Sequence, residues 1–171
     1  MARNIEIKAR IASVEDFLPR ARALADAAPV AIEQHDTFYG VARGRLKLRR
    51  FGDGSAELIH YHRADVVDAK ASDYVRVPVA DPDALHRALD RACGATGEVR
   101  KRRLLLLVGQ TRIHLDRVVG LGDFMELEVV LRDGQSDADG SAAAEALMRE
   151  LGLAEAPRIA GAYADLPGST P

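Results

Sequence analysis

Alternation of apolar and polar residues is the strongest pattern in this chain, and the segment 3–11 shows it first. Apolar side chains occupy positions 5, 7, 9 and 11, and Asn4, Glu6, Lys8 and Arg10 stand between them. Because successive side chains of a strand point to opposite faces, this segment predicts a strand with one apolar face and one charged face. Several later segments repeat the pattern, so their charged faces are expected to combine into one site.

Hairpin signals connect most of the later strands. Gly52-Asp53-Gly54 predicts a tight turn between strands at 45–49 and 57–63, because glycine readily adopts the positive φ that such turns need. The same alternation predicts further strands at 34–39, 72–79, 99–107, 111–116 and 123–129. Sequential hairpins imply antiparallel pairing, and eight antiparallel strands can close into a barrel wide enough for one small ligand.

Three segments show the apolar stripe of an amphipathic helix, at 14–28, 81–93 and 141–151. Pro19 lies inside the first, where it removes a backbone hydrogen bond. The predicted fold class is therefore α+β, an eight-stranded antiparallel barrel with about three to four surrounding helices. Residues 1–165 form the predicted domain, and residues 166–171 are expected to be a disordered tail.

Composition narrows the classes of protein. A chain of 171 residues with 47% hydrophobic and 29% charged content fits one globular domain. The net charge of −2 argues against a general nucleic-acid-binding protein, which usually carries a basic excess. Cys93 is the single cysteine and is expected to be a small buried side chain. No signal region or membrane-length apolar run stands out, so we expect a cytoplasmic monomer or homodimer with no membrane or nucleic-acid partner.

Within each predicted strand the charged side chains occupy alternate positions, a pattern that we call strand parity. This parity places them on one face of the predicted barrel. Helices with apolar stripes can cover the outer surface, which leaves the interior for the charges. The side chains expected inside are Glu6, Asp116, Glu126 and Glu128, together with Lys8, Arg10, Arg45, Lys47, Arg49, Arg63, Arg76, Lys101, Arg103 and Arg112. A cationic excess suits a polyanion, and carboxylates suit a hard divalent cation. An open antiparallel sheet packed on helices would show the same alternation, so the pattern alone leaves both folds open.

A series of short motifs resembles those of the CYTH superfamily, the triphosphate tunnel metalloenzymes. Asn4-x-Glu6-x-Lys8 resembles the Glu-x-Glu-x-Lys signature of that family. The motifs that follow it in the same order are Gln34-x-Asp36-x-Phe38-Tyr39, Leu46-Lys47-Leu48-Arg49, Leu58-Ile59-x-Tyr61-x-Arg63, Ser72-Asp73-Tyr74, Val99-x-Lys101-x-Arg103, Arg112-x-His114-Leu115-Asp116, Phe124-x-Glu126-x-Glu128 and Ala162-Tyr163-Ala164-Asp165-Leu166. The superfamily includes class IV adenylate cyclases, thiamine triphosphatases and inorganic triphosphatases.

The resemblance implies an eight-stranded tunnel in which inward cations bind a triphosphate and inward carboxylates hold one or two Mg²⁺ or Mn²⁺ ions. The metal ligands it implies are Glu6, Glu126 and Glu128, with Asn4 at the position of the first family glutamate. The triphosphate ligands it implies are Lys8, Lys47, Arg49, Arg63, Lys101, Arg103 and Arg112, and strand parity adds Arg45 and Arg76. Lys8, Arg112 and Asp116 are the expected catalytic residues. An amide at position 4 can ligate a hard cation but adds no charge, so the number of ions stays open.

The overall layout is most similar to bacterial chains classed with the class IV adenylate cyclases. This similarity implies conversion of ATP to cyclic AMP and pyrophosphate. One alternative is hydrolysis of tripolyphosphate or thiamine triphosphate, and another is a triphosphate-binding module that has lost catalysis with the change at Asn4. The residues leave these open, because phosphoryl transfer relies on positioning and charge neutralisation, and the same clamp serves either reaction.

Overall fold

The computed structural model describes residues 2–63 and 70–166. Within these ranges, eight antiparallel strands form a closed barrel. In chain order the strands are β1 (Ala2–Arg10), β2 (Val30–Tyr39), β3 (Arg45–Phe51), β4 (Ala56–Arg63), β5 (Lys70–Pro78), β6 (Ala95–Val108), β7 (Thr111–Val118) and β8 (Gly122–Val130). Around the barrel they follow the order β1-β5-β4-β3-β2-β6-β7-β8, and β8 pairs with β1. The closed barrel is confirmed, and the open sheet is excluded.

The barrel is accompanied by three helices, α1 (Val14–Leu24), α2 (Pro82–Cys93) and α3 (Asp137–Glu150), and by a 3₁₀ turn at Tyr163–Asp165. The first helix continues through Pro19 and ends earlier than predicted. The third begins earlier than predicted because Ser136 and Asp139 form a capping box that satisfies the first backbone amides. Within the described ranges, no helix is long and apolar enough to cross a membrane.

The main hydrophobic core lies outside the barrel wall, between the strands and the helices α1 and α3. Ile5 and Ile7 of β1 point outward into this layer and are almost completely buried. Phe17 of α1 and Met148 of α3 belong to the same cluster. Because the outer faces of the strands are buried in this way, the inner faces are free to carry polar side chains.

Helix α2 covers a thinner part of the barrel. Its Leu85 and Leu89 are partly buried against Tyr39 and Leu48, but none of its residues is fully buried. Cys93 is exposed, so the expectation that it is a buried side chain is wrong. The reason is that it ends a helix lying on the surface.

The C-terminal segment closes one end of the barrel. Tyr163 packs there against Phe38, Val99 and Phe124, with 4.9 Å between the Tyr163 and Phe124 ring centroids. Leu166, the first residue of the predicted tail, is partly buried against this cluster. Residues 167–171 lie outside the described part of the chain, so the disordered tail stays a prediction.

Helix α3 packs tightly on the barrel at Gly140, where a Cβ atom would lie 2.6 Å from Ile5 Cγ1 and 2.6 Å from Leu131 Cδ2. We expect Gly140→Val to lower the free energy of unfolding by about 3 kcal/mol through overpacking, although valine is the better helix former. Ala143→Val adds bulk on the exposed side of the same helix and should change it by less than about 0.7 kcal/mol. Equal urea midpoints for the two variants would contradict this packing.

Candidate functional site

A cavity of ≈ 340 Å³ lies inside the barrel, and most of the predicted site residues line it. Those that do are Asn4, Glu6, Lys8, Lys47, Arg49, Arg76, Lys101, Arg103, Arg112, Glu126 and Glu128. Among the described residues, seven Lys and Arg side chains line the cavity, against the four carboxylates of Glu6, Asp36, Glu126 and Glu128. The cavity therefore carries an excess of positive charge, which suits a polyanionic ligand.

The cations differ in depth along the barrel axis. Beside the closed end, the side chains of Lys8 and Lys101 are 5% and 4% exposed, and both ammonium groups lie over the ring of Tyr163. Toward the other end, Arg112 is 34% and Arg76 is 44% exposed. The cavity is thus shielded from bulk solvent at the end that Tyr163 closes, which we call the dry end, and open to solvent at the end near Arg76 and Arg112.

Asp116 is fully buried and orients the deep cations. Its carboxylate accepts two hydrogen bonds of 2.7 Å from Arg103 and one of 3.2 Å from Lys101. The hydroxyl of Tyr163 donates a fourth, at 2.9 Å. Burial alone would raise the pKa of Asp116, but the charges of Arg103 and Lys101 outweigh it and hold the pKa far below its usual value. Asp116 is therefore an anion that positions cations.

Asp36 plays the corresponding part on β2, and it is absent from the predicted site residues. Its carboxylate accepts hydrogen bonds from Lys47 at 2.8 Å and from Arg49 at 2.7 Å. Burial opposes ionisation, but Arg49 and Lys47 hold the pKa of Asp36 well below its ordinary value. The signal that could have found it is its inward parity, which it shares with Gln34 and Phe38.

Two of the buried lysines hold their protons weakly. Burial and the charge of Arg49 lower the pKa of Lys47 to about 8. Burial and the charge of Arg103 lower the pKa of Lys101 to about 7. An anionic ligand would favour the charged form of both lysines, so ligand binding and protonation are coupled here.

Glu126 and Glu128 lie on the inner face of β8 and are turned toward cations. Glu126 accepts a hydrogen bond of 3.1 Å from Arg103 and lies 3.7 Å from the ammonium group of Lys8. Glu128 accepts a hydrogen bond of 3.1 Å from Arg112. Burial alone would raise the pKa of Glu126, but Lys8, with its positive charge, contributes to holding that pKa well below its usual value.

His114 lies between these two glutamates and is a site residue that the sequence analysis missed. Its Nδ1 is 3.6 Å from Glu126, and its Nε2 is 3.7 Å from Glu128. Burial and the charge of Arg103 lower the pKa of His114, which favours the neutral imidazole. Its alternation with Arg112 and Asp116 along β7 was the signal available in the sequence.

The inner faces of β1 and β8 bring together side-chain oxygen atoms that suit a hard divalent ion. In the pairing of β1 with β8, Glu6 lies opposite Glu128. Lys8, two residues further along β1, lies opposite Glu126. Asn4 donates a hydrogen bond to Glu128, while its buried Oδ1 has no hydrogen-bond partner in the described part of the chain. Carboxylate and amide oxygens are the ligands that Mg²⁺ and Mn²⁺ prefer. As the side chains stand, no group of three or more His, Cys, Asp or Glu residues within 2–63 and 70–166 is arranged to hold a metal ion.

Two cations of the described ranges that were predicted to lie inside the barrel, Arg45 and Arg10, are not found in the cavity lining. Arg45 forms an ion pair of 2.7 Å with Asp165 at the closed end, and the guanidinium of Arg10 lies over the ring of Phe124. Both keep the inward parity, but they belong to the ends of their strands, beyond the cavity. The side chain of Arg63 falls outside the described part of the structure, so its role stays a prediction.

Sequence comparison identifies a family for nearly the whole chain. The CYTH domain matches residues 2–163. No curated protein matches this chain.

Solved structures of similar fold include proteins of Pyrococcus, Vibrio and Hippeastrum. The PH1012 protein of Pyrococcus horikoshii OT3 is 24% identical, with a TM-score of 0.85 and coverage of 95% of this chain and 98% of that chain. A candidate adenylate cyclase of Vibrio parahaemolyticus is 20% identical, with a TM-score of 0.73 and 94% of each chain covered. A candidate adenylyl cyclase of Hippeastrum with a dominant triphosphatase activity is 15% identical, with a TM-score of 0.67, covering 96% of this chain and 93% of that one. At these identities the likeness shows the fold alone.

The low pKa of Lys101 predicts proton uptake on ligand binding. At about pH 8 this lysine is mostly neutral, and a bound polyanion should restore its charge, so metal-free tripolyphosphate should bind with uptake of roughly one proton. Affinity should fall as the pH rises above 7 for the same reason. Calorimetry in two buffers of different ionisation enthalpy measures the uptake.

Lys101→Arg is the matched control, because arginine stays charged at this pH. This variant should take up fewer protons when it binds tripolyphosphate, and Lys47 should accept those that are still taken up. Identical binding heats of the unaltered chain in both buffers would refute the coupling.

Proposed function

Since this chain belongs to the CYTH family, we propose that it is a metal-dependent enzyme that converts a triphosphate inside its barrel, with ATP as the substrate and cyclic AMP and pyrophosphate as the products. CYTH proteins are generally enzymes, triphosphatases or cyclases, and they typically use a divalent metal ion. The finer assignment follows the motif pattern, which is most similar to that of the class IV adenylate cyclases.

The observation that carries this proposal is the convergence of seven cations on one cavity that also holds four carboxylates. The cations outnumber the carboxylates of the cavity, and a neutral or lipid-like ligand would do nothing to offset this excess of positive charge. A triphosphate supplies several negative charges along a short chain, and Lys and Arg side chains bind phosphate oxygens well.

The depth of the cations suggests how the triphosphate is oriented. Lys8, Lys101 and Arg103 lie at the dry end and would bind the β- and γ-phosphates. Arg112 lies nearer the open end, beside Glu128, and would bind the α-phosphate. In cyclisation the ribose 3′-hydroxyl attacks the α-phosphorus and pyrophosphate leaves, so the deep cations would stabilise the charge that develops on the leaving group.

The three proposed catalytic residues have different parts in this scheme. Lys8 and Arg112 would contact the phosphates and neutralise their charge. Asp116 would act through Arg103 and Lys101, which it already holds at hydrogen-bond distance, and it is therefore a positioning residue. Positioning of this kind accounts for a large part of phosphoryl-transfer catalysis, because the reaction has few covalent steps for the protein to perform.

Glu6, Glu126, Glu128 and Asn4 would hold the Mg²⁺ or Mn²⁺ ion. Such an ion, when bound, supplies charge neutralisation of the phosphate oxygens. Before the substrate binds, Glu126 and Glu128 are paired with Arg103 and Arg112. A triphosphate that draws these arginines to its own oxygens would release the two carboxylates for the metal, so substrate and metal are expected to bind cooperatively.

Hydrolysis is the second candidate, because the Hippeastrum protein of similar fold is described by a dominant triphosphatase activity. In that reaction a water molecule would attack a terminal phosphorus, which the deep cations would bind. Binding without catalysis is the third, since Asn4 replaces the first glutamate of the family signature.

Phosphorus NMR separates these three functions. We expect incubation with ATP and Mg²⁺ or Mn²⁺ to yield cyclic AMP and pyrophosphate. Orthophosphate from ATP, thiamine triphosphate or tripolyphosphate would instead support a hydrolase, and unchanged substrates would support a binding module.

Removing a metal-binding carboxylate should weaken metal binding and turnover without unfolding the chain. For Glu126→Gln and Glu128→Gln we expect metal affinity to fall by more than about tenfold, since even residues that only support a metal ligand have effects of that size. Glu98→Gln, on the outer face beside His35, is the control and should change neither. Metal affinity by calorimetry that is unchanged in both variants would argue decisively against the assignment.

Restoring the family glutamate tests the role of Asn4. Asn4→Glu should lower the metal concentration needed for half-maximal activity, because an added carboxylate raises the affinity of an oxygen-ligand site. Without metal the same variant should be less stable, since the new carboxylate would face Glu128. Asn4→Gln introduces a side chain as long as glutamate but without its charge, and this variant should show neither effect. Metal titrations of activity measure the first effect and thermal unfolding without metal measures the second. Matching results for the two variants would place Asn4 outside the metal site.

A further inference from the structure

Three neighbouring strands change from polar to apolar inner faces at the same end of the barrel. Along β6 the inner face carries Lys101, then Arg103, then Leu105, and all three line the cavity. On β3 it ends at Phe51 after Lys47 and Arg49, and on β2 it reaches Ile32 beyond Asp36 and Gln34. The apolar surface formed by Ile32, Phe51 and Leu105, which we call the apolar arc, continues the cationic lining.

Strand pairing places the apolar arc at the open end. Phe51 lies at the opposite end of β3 from Arg45, which is paired with Asp165 of the closing segment. Leu105 lies opposite His114 of β7, which is two residues from Arg112 on the same inner face. A ligand whose phosphates occupy the dry end therefore extends past the apolar arc toward solvent.

Apolar residues of the inner faces are buried at the closed end of the barrel and partly exposed at the open end. At the closed end, Phe38 and Val99 are buried under Tyr163. The three residues of the apolar arc are only half-buried, although they line a cavity rich in charge. Apolar surface left in contact with water in this way favours a ligand that covers it.

Gln34 supplies an independent observation at the same place. Its side chain is only 6% exposed and lines the cavity, yet its Oε1 has no hydrogen-bond partner in the described part of the chain. Strand pairing sets Gln34 between Lys101 on β6 and Phe51 on β3. A buried carbonyl oxygen without a partner is unfavourable, and a ligand N–H or O–H group could satisfy it.

We propose that the apolar arc and Gln34 bind the organic group of the substrate, a flat heterocycle that carries a hydrogen-bond donor. This inference rests on the proposed function and deepens it. It makes the substrate an organic triphosphate such as a nucleoside triphosphate, and it makes Phe51 and Gln34 specificity-determining residues. The ring of Phe51 offers a stacking face for the heterocycle, and Ile32 and Leu105 complete the apolar contact.

The test compares two ligands that share the triphosphate and differ in the organic group. Calorimetry in metal-free buffer gives Kd for ATP and for tripolyphosphate, with no turnover to disturb the measurement. Phe51→Ala should raise Kd for ATP about tenfold, the usual effect of losing one aromatic stacking partner. It should leave Kd for tripolyphosphate within about twofold, because the cations are untouched. Gln34→Leu should shift the ratio of the two Kd values in the same direction.

Two further variants complete the design. Val77→Ala removes apolar surface from the exposed outer face of β5 and should change neither Kd. Phe51→Leu keeps an apolar side chain without the ring, and it replaces Phe51→Ala if that variant fails to fold. An equal change for both ligands, or no change for ATP, would overturn the organic-group site while leaving triphosphate binding established. Failure of the unaltered chain to bind either ligand would overturn the proposed function itself.

Discussion

Buried charge is the constraint on which this structure depends. An apolar layer under α1 and α3 covers the outer faces of β1, β6, β7 and β8, so the charged faces of these strands point inward. Ions removed from water are costly unless they are paired and hydrogen-bonded. Asp36 and Asp116 meet that requirement, because each binds one lysine and one arginine of the cavity wall. The barrel can therefore hold a concentration of cations without a ligand.

The same pairing explains how the site could respond to a ligand. Asp36 and Asp116 are almost completely buried beside their cations, whereas Glu126 and Glu128 are more exposed, at 11% and 15%. The first two carboxylates keep their partners in place, so a triphosphate meets cations that are already oriented. We expect the other two, Glu126 and Glu128, to release their arginines when an anion binds. This division between positioning acids and exchanging acids is the physical basis of the function that we propose.

The two ends of the cavity differ in solvent exposure and in the polarity of their lining. Its dry end, closed by Tyr163, concentrates the charge in a poorly solvated space where electrostatic interactions are strong. Its open end mixes cations with the apolar surface of Ile32, Phe51 and Leu105. A ligand with phosphates at one end and an organic group at the other matches this gradient, and a symmetric polyphosphate matches only half of it.

Local patterns in the chain were enough to predict the strands, the helices and the face on which each charge lies. Parity alone put Glu6, Lys47, Arg49, Glu126 and Glu128 on one face, and in the structure all five line one cavity. Parity depends only on neighbours along the strand, which is why a sequence without any structure determines it. The closed barrel required more, since an open sheet has the same parity, and there the family resemblance decided correctly.

Depth within the barrel was decided by the tertiary structure. Arg45 and Arg10 have the inward parity, yet they lie beyond the cavity because height along the axis depends on strand register and on where each strand ends. The partners of Asp36 come from β3, and Gln34 meets Phe51 only through the pairing of β2 with β3. A register shift alters every such neighbour and is set by contacts between strands distant in the chain. The sequence by itself therefore determined which side chains face inward, and only the tertiary structure decided which of them meet.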